Sequence, residues 1–541
     1  SGNLTVTTGG ALTDTNAIVV PGTTTITATG QSVALNNTSN NFGTILFGSS
    51  TNAVSSVEVE DTNAIAIGAS KSTGNFTVTA GGNVTDSGIL TVGGNLSVIT
   101  DANNGEIDLD NLAVDGTIAF TPHGSGDVTI VNATDIVFAG STMGGVFTMT
   151  ADSTVYDDGD SIKVSNDTTV TGTVVSTTGS TVYYTGSFRQ NINGGIFEAG
   201  DTITDGTNTR TIADNGVANG TLTATATTGN ITQSGALHIT GRSTFTTSEA
   251  DADITLQNTS NNFYDDVTFF TAGTTGNVAV YDSTNFYFAP STIRGNLAVE
   301  TANATNTQIG DGEDAEGDPA ILTVTGTTSL LASGTNNKKL ASIIMNGANH
   351  IFGGSVSAQG HHVRFASDGA IELGNIRSGW GVLGLTSTGE VTQSETGYIQ
   401  VAVDTNINAG SNNITLDSTS NSFGGFARSG GGTLASGNIA TTDEIKVTGA
   451  NVVVASDHTF NVGASTVSGN LTLVSSSAAG ASHTGITDSG AVTVGGNLVA
   501  TTDANSGVID LGTTLVAGTV ALTTNGSGNA TFDNDSLNID L

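Results

Sequence analysis

The chain has 541 residues, 48 of them acidic and 12 basic, for a formal net charge of −36 and a pI near 4.1. That balance excludes the basic face that nucleic acid or an anionic membrane demands, and the absence of Cys excludes disulfides, thiolate metal sites and thiol nucleophiles. Charged residues are only 11% and Pro only 4, against 73 Gly, so the expectation is a surface solvated by hydroxyls and amides over one continuous architecture with a narrow aliphatic core.

The opening Ser1-Gly2-Asn3-Leu4-Thr5-Val6 reads as the second half of a cassette that recurs along the chain. After it come Leu12-Thr-Asp14 and then Val33-Ala-Leu35, leading to Asn40-Asn41-Phe42. The first full cassette is Ile65-Ala-Ile67-Gly68-Ala69-Ser70, three residues, then Gly74-Asn75-Phe76, followed by Val84-Thr-Asp-Ser-Gly88. Apolar pairs continue at period two through Leu90/Val92, Leu96/Val98, Ile107/Leu109, Ile118/Phe120, Val128/Ile130 and Ile136/Phe138. Period two over short runs predicts strands with one buried face, and the Gly-Gly and Asp-Gly dipeptides between them supply tight turns.

Residues 151–220 depart from this pattern, with Tyr156, Lys163, Tyr183, Tyr184, Arg189 and Arg210 concentrated there. They read as divergent coils or a small inserted β subdomain. The alternating Thr of 221–228 resembles that of ice-binding solenoids, but the alternation does not recur at coil spacing. From Ile231-Thr-Gln-Ser-Gly235 the elements return, as Ile254-Thr-Leu256 to Asn261-Asn262-Phe263, then the cassette Phe286-Tyr-Phe288 to Gly295-Asn296-Leu297. The acidic stretch Asp311-Gly-Glu-Asp-Ala-Glu-Gly-Asp318 replaces the Thr-Asp-Ser-Gly element at that point. A degenerate cassette begins at Ile371, followed by Val391-Thr-Gln-Ser394 and by Ile414-Thr-Leu416 to Asn421-Ser422-Phe423. The last cassette spans Phe460 to Leu471, and residues 492–532 align with 90–130 without a gap.

Gly74, Gly94 and Gly116 mark a step of about 20 to 22 residues, the content of one coil of a parallel β-helix. The expected fold is therefore an all-β parallel β-solenoid of roughly 25 coils, on the order of 120 Å long. Its organisation is solenoid coils over 1–150, the divergent segment 151–220, and coils again over 221–541.

Three motifs, Gly-Asn-Leu-Thr-Val, Ile-Thr-Asp-Ser-Gly and Ile-Thr-Leu followed by Asn-x-Phe, resemble the coils of large repetitive exoproteins related to filamentous haemagglutinin. The resemblance covers about residues 1–150 and 221–541. It implies a right-handed parallel β-helix secreted by a Gram-negative or similar bacterium, and it brings no catalytic residues. The family's amino-terminal secretion domain is not visible in this sequence.

Candidate chemistry is sparse. Glycan-degrading β-helices need clustered carboxylates with Lys or Arg in one groove, whereas the 12 basic residues here are scattered and the 7 His, including His361-His362, show no triad or metal spacing. Hard cations need several oxygens within one turn. The candidates for calcium are Asp311, Glu313, Asp314, Glu316 and Asp318, with Asp157, Asp158 and Asp160 as a second group. Solvated turns are the plainer reading of both. The expectation is a non-enzymatic extracellular structural protein of a surface filament, sheath or matrix, with itself as partner through head-to-tail pairing of coils. The alternatives are an adhesin stalk that presents 151–220 to surface glycans or receptors, and a glycan-degrading enzyme. The closing Leu537-Asn-Ile539-Asp-Leu541 resembles the first half of a cassette, which suggests either end-to-end stacking or a piece of a longer repetitive chain.

Overall fold

The computed structural model describes residues 2–100, 105–122, 126–143, 220–303, 307–313, 318–334, 341–424, 443–476, 485–503 and 507–534, together with the backbone of strands between Phe147 and Thr211. The closing motif at 537–541 lies outside the described residues. Among those residues every regular element is a strand. The chain divides into two compact units, Ser1–Ser283 and Thr284–Leu541. It is a parallel β-solenoid of about 18 turns.

In the first unit, each cassette is one turn lying on the next. Ile65 pairs with Val84, Ser70 with Leu90 and Phe76 with Leu96, all parallel. The following turn repeats the arrangement, with Val84 beside Ile107, Leu90 beside Leu112 and Leu96 beside Ile118. Alternation then sorts the side chains: Ile65, Ile67, Leu90, Val92, Leu96 and Val98 are all buried, while Thr85, Thr91 and Ser97 between them are partly exposed. Burying one such aliphatic side chain contributes roughly 1.5–3 kcal/mol, an upper-range figure because the unfolded chain is itself partly collapsed. Larger rings pack against one another between turns. Phe120 meets Phe138 edge-on at 5.8 Å, and Phe245 stacks on Phe269 at 5.8 Å.

The second unit is built in the same way. Phe460, Ser465 and Leu471 pair with Ile486, Val492 and Leu498, and these in turn with Ile509, Thr514 and Val520. The segment that opens as a degenerate cassette is different. Ile371–Ser378 is one strand without the cassette corner, and it pairs with both Val391 and Ile399.

One expectation changes. The step between turns does match the expected spacing, since cross-turn hydrogen bonds join residues 20, 22 and 23 apart. Yet Val128 pairs with Leu222, Ile309 with Ile343 and Thr405 with Ile445. These partners are separated by more residues than the regular step contains, so about 18 turns replace the roughly 25 expected. The alternating Thr is matched on one neighbouring turn, where Thr223 and Thr225 pair with Thr244 and Thr246, but not beyond it, where Val131 and Phe270 stand in the second column.

Residues 151–220 include the part of the chain that leaves the parallel ladder. Strands from Phe147–Thr150 to Thr209–Thr211 form a six-stranded sheet whose pairs are antiparallel. Tyr156 and Arg189 lie outside the described residues.

Candidate functional site

The recurring polar residues are placed by the turns of the solenoid, and their geometry shows what each is for. In the Gly-Asn corner, Asn75 Oδ1 accepts the N–H of Asn95 at 3.0 Å, and Asn95 Oδ1 accepts that of Thr117 at 3.0 Å. In the second unit Asn451, Asn470 and Asn497 accept from Asn470, Asn497 and Thr519 at 2.9–3.0 Å. The preceding Gly has a steric cause. A Cβ on Gly94 would lie 2.6 Å from Asn75 Oδ1, and one on Gly116 would lie 2.6 Å from Asn95 Oδ1. Gly thus makes room for the Asn of the turn before, and Asn receives the turn after.

The Thr-Asp-Ser and Thr-Gln-Ser elements share one task despite differing in charge. Asp86 accepts the N–H of Asn111 at 2.9 Å, and Asp488 accepts those of Gly512 and Thr513 at 2.9 and 2.8 Å. Gln233 Oε1 accepts from Asn258 at 3.2 Å, and Gln393 Oε1 from Ser418 at 3.4 Å. Position in the solenoid divides these elements into two groups that do not follow their charge, since Leu12-Thr-Asp14 falls with the Gln elements. Leu12, Ile231 and Val391 pair with Val33, Ile254 and Ile414 of the Asn-Asn-Phe turns, whereas Val84 and Ile486 pair with Ile107 and Ile509.

The Asn-Asn-Phe elements carry a buried amide. Asn40, Asn261 and Asn421 are each fully buried. Their Oδ1 atoms accept the backbone N–H of Ile18, Leu237 and Ile399 at 2.8–3.0 Å. Each amide also reaches the preceding Thr-Asp or Thr-Gln element: Asn40 donates to Asp14 at 2.6 Å, Asn261 to Gln233 at 2.8 Å and Asn421 to Gln393 at 2.9 Å. The sequence displayed both elements but not that they touch, because 26 to 28 residues separate the partners.

Asp61 is also buried, and its two oxygens accept the N–H groups of Phe42 at 2.6 Å and Asn63 at 2.9 Å. Burial raises its pKa above 3.8, outweighing the two N–H groups that lower it. Asp282 repeats the contact by accepting the N–H of Phe263 at 2.9 Å.

Of the calcium candidates, Asp314 and Glu316 lie outside the described residues, as do Asp157, Asp158 and Asp160. Asp311 is engaged: Oδ1 meets His350 Nε2 at 2.7 Å and Oδ2 accepts the N–H of Gly347 at 2.5 Å. His350 is fully buried, and its Nδ1 accepts the N–H of Leu322 at 3.1 Å. The acceptor role of Nδ1 assigns the ring proton to Nε2, which donates it to Asp311. Glu313 forms an isolated bridge with Pro319, and Asp318 adjoins it in the same loop. Among the described residues no three His, Asp or Glu side chains gather as a metal site.

A Lys does meet carboxylates in the second unit, where the linear reading saw scatter. Lys446 pairs with Glu444, whose other oxygen accepts Ser489 Oγ–H at 2.8 Å, and Asp404 accepts the N–H of Glu444 at 3.2 Å. Burial raises the Glu444 pKa, but the Lys446 and Ser489 contacts more than offset this and leave it lowered. The rings of His361 and His362 meet at 4.3 Å, and burial lowers both pKa values.

A family model described as repeats of unknown function (DUF5649) matches residues 1–47, 54–121, 199–269, 275–359 and 360–430, more than half of the chain. No curated protein matches the chain, and no solved structure matches it.

Proposed function

We propose that this chain, which belongs to the family of repeats of unknown function DUF5649, is an extracellular structural protein of a bacterial surface filament, sheath or matrix. Its coils extend by strand pairing, with further repeats of the same polypeptide or with another copy. One observation carries the reading: the polar side chains that recur between copies, from Asn75 and Asn95 to Gln233 and Asn261, are bonded turn to turn. Such bonds resist slippage between coils, a mechanical task. Immunogold microscopy of the producing cells with antibodies against the purified chain is the test. Label on extracellular filaments or matrix is expected, and label confined to the cell interior would overturn the proposal.

A second reading is favoured by a specific feature, the antiparallel sheet between Phe147 and Thr211. In that reading the parallel coils are a stalk and the antiparallel segment contacts a surface glycan or receptor.

A further inference from the structure

In the second unit, one corner of the coil gathers residue types that are scarce elsewhere in the chain. On one turn the corner runs from Gly360 to Val363 and carries His361 and His362; on the next it runs from Ser378 to Leu383 and carries Trp380, the only Trp of the chain. The two turns pair in register, Gly360 beside Ser378 and Val363 beside Leu383. They close tightly: the N–H of Val382 donates to His362 Nδ1 at 3.2 Å, and a Cβ on Gly381 would collide with that ring. Arg377 precedes Trp380 at an outward position of its strand. Arg364 follows His362, is exposed, and lies along Gly384, where a Cβ would meet its Cγ at 3.4 Å. His361 Nδ1 is buried and meets no hydrogen-bond partner among the described residues, a polar burial that coil packing does not account for. This corner is also where the solenoid accepts extra chain. In the turn before, the same connection runs from Gly334 to Ser342, and two turns beyond Trp380 it runs from Phe423 to Ile445. Insertions of a solenoid collect on one face, often the binding face.

We infer that this corner binds a short acidic oligosaccharide, with a sugar ring against Trp380 and a uronate carboxylate held by the flanking arginines. The residue types select that ligand. Indole and imidazole offer flat faces to the C–H face of a sugar ring, and a guanidinium holds a carboxylate through two parallel N–H bonds. Burial lowers the His361 pKa, and burial, then His361 and Arg364, lower that of His362, so both rings are neutral at pH 7 and the positive charge is that of the arginines. Residues 356–367 and 373–389 contain no Asp or Glu. Asp368 and Glu372 stand at the far ends of the two strands, Glu395 lies before Tyr398 on the following turn, and Asp404, on the same corner one turn on, already accepts the N–H of Glu444. The formal charge of −36 repels a long polyanion, but in physiological salt it is screened beyond about 8 Å. A short ligand therefore meets the local charge, which is positive. Such a site serves a filament and a stalk alike and is independent of the antiparallel segment.

Because Trp380 is the only Trp, Trp fluorescence of the full chain reports on this corner alone. Titration with digalacturonate in physiological salt is expected to give a saturable change at millimolar concentration or below. Maltose, a neutral sugar of the same length, is expected to bind at least about tenfold more weakly. The double substitution Arg364→Ala and Arg377→Ala is expected to weaken digalacturonate binding at least about tenfold, with circular dichroism and melting as in the parent because both positions face outward. Calorimetry on Trp380→Leu is expected to show a comparable loss. A parent with no saturable response to digalacturonate, or one that binds maltose equally well, overturns the proposal. So does binding that survives the arginine substitutions in a folded variant, and so does sodium acetate that competes at equal concentration, which marks a simple anion site. If the double variant does not fold, Arg364→Gln at the exposed position and the comparison of the two sugars on the parent decide the matter.

Discussion

Gln233 and Asn261, 28 residues apart, exchange two hydrogen bonds of 2.8 Å, each side-chain amide donating to the oxygen of the other. The same exchange joins Gln393 and Asn421 at 2.7 and 2.9 Å. Asp14 takes the place of the Gln beside Asn40, where a carboxylate can accept but not donate. The two repeated elements are thus halves of one clamp between adjacent turns.

Removing the buried half is the more severe change. Asn261→Ala leaves the N–H of Leu237 and the carbonyls of Leu256 and Tyr281 without their side-chain partner. The expected loss is about 3–5 kcal/mol, against about 1–2 kcal/mol for Gln233→Ala, whose head group is partly exposed. The double variant is expected to lose less than the sum of the two, with coupling of about 1 kcal/mol by urea unfolding. Additive losses would show that the residues act separately.

Neighbours in one strand are expected to respond oppositely to the same substitution. Val92→Asp places an unpaired carboxylate in the core, where Val92 is fully buried, and should cost about 4 kcal/mol or more. Thr91→Asp faces outward between Lys71 and Ala113 and should change stability by less than about 0.5 kcal/mol. Equal melting shifts would contradict the assigned faces.

The raised pKa of Asp61 fixes the sign of one pH effect. Its folded value lies above the ordinary 3.8, so the folded state holds the proton more tightly than the unfolded chain. The stabilisation linked to it is complete below 3.8 and is lost as pH rises through the folded value. Asp61→Asn is expected to flatten this part of the stability curve relative to the parent. Carbon-13 titration of the carboxyl group checks the assignment: a midpoint at or below 3.8 would refute it.

The parallel ladder continues across the antiparallel segment, with Val128 through Asn132 paired to Leu222 through Ala226. Replacing 144–219 with a short Gly-Ser linker is therefore expected to leave the melting temperature within about 3 °C of the parent. Attachment to cells or glycans, assayed in parallel, is expected to persist if the coils alone are functional. Its loss with stability retained would favour the adhesin reading.

Calcium is expected to act on this chain only as added ionic strength. The oxygens of Asp311 already serve His350 and Gly347, and an ion would have to displace both. Melting in millimolar calcium against sodium of matched ionic strength decides the matter, and an extra rise with calcium would show that the folded chain binds the ion.

Strand identity, the inward and outward members of each pair, and the one-turn cassette were all legible in the sequence. Each depends on local rules: period two for Leu96 and Val98, a corner at Gly94-Asn95. The repeats then implied stacking, because identical elements can pair in register. Which turn lies on which was decided only by tertiary structure. Leu222 pairs with Val128 across the antiparallel segment, and Thr221 bonds Asp127 at a separation of 94 residues, a closure no local pattern encodes. Tertiary pairing also brought Thr129 and Thr268 from distant segments into the column of Thr223. The clamp of Gln233 and Asn261 arose in the same way: each residue had a visible motif, but a hydrogen bond requires an approach of about 3 Å, and that was set by the pitch of the solenoid.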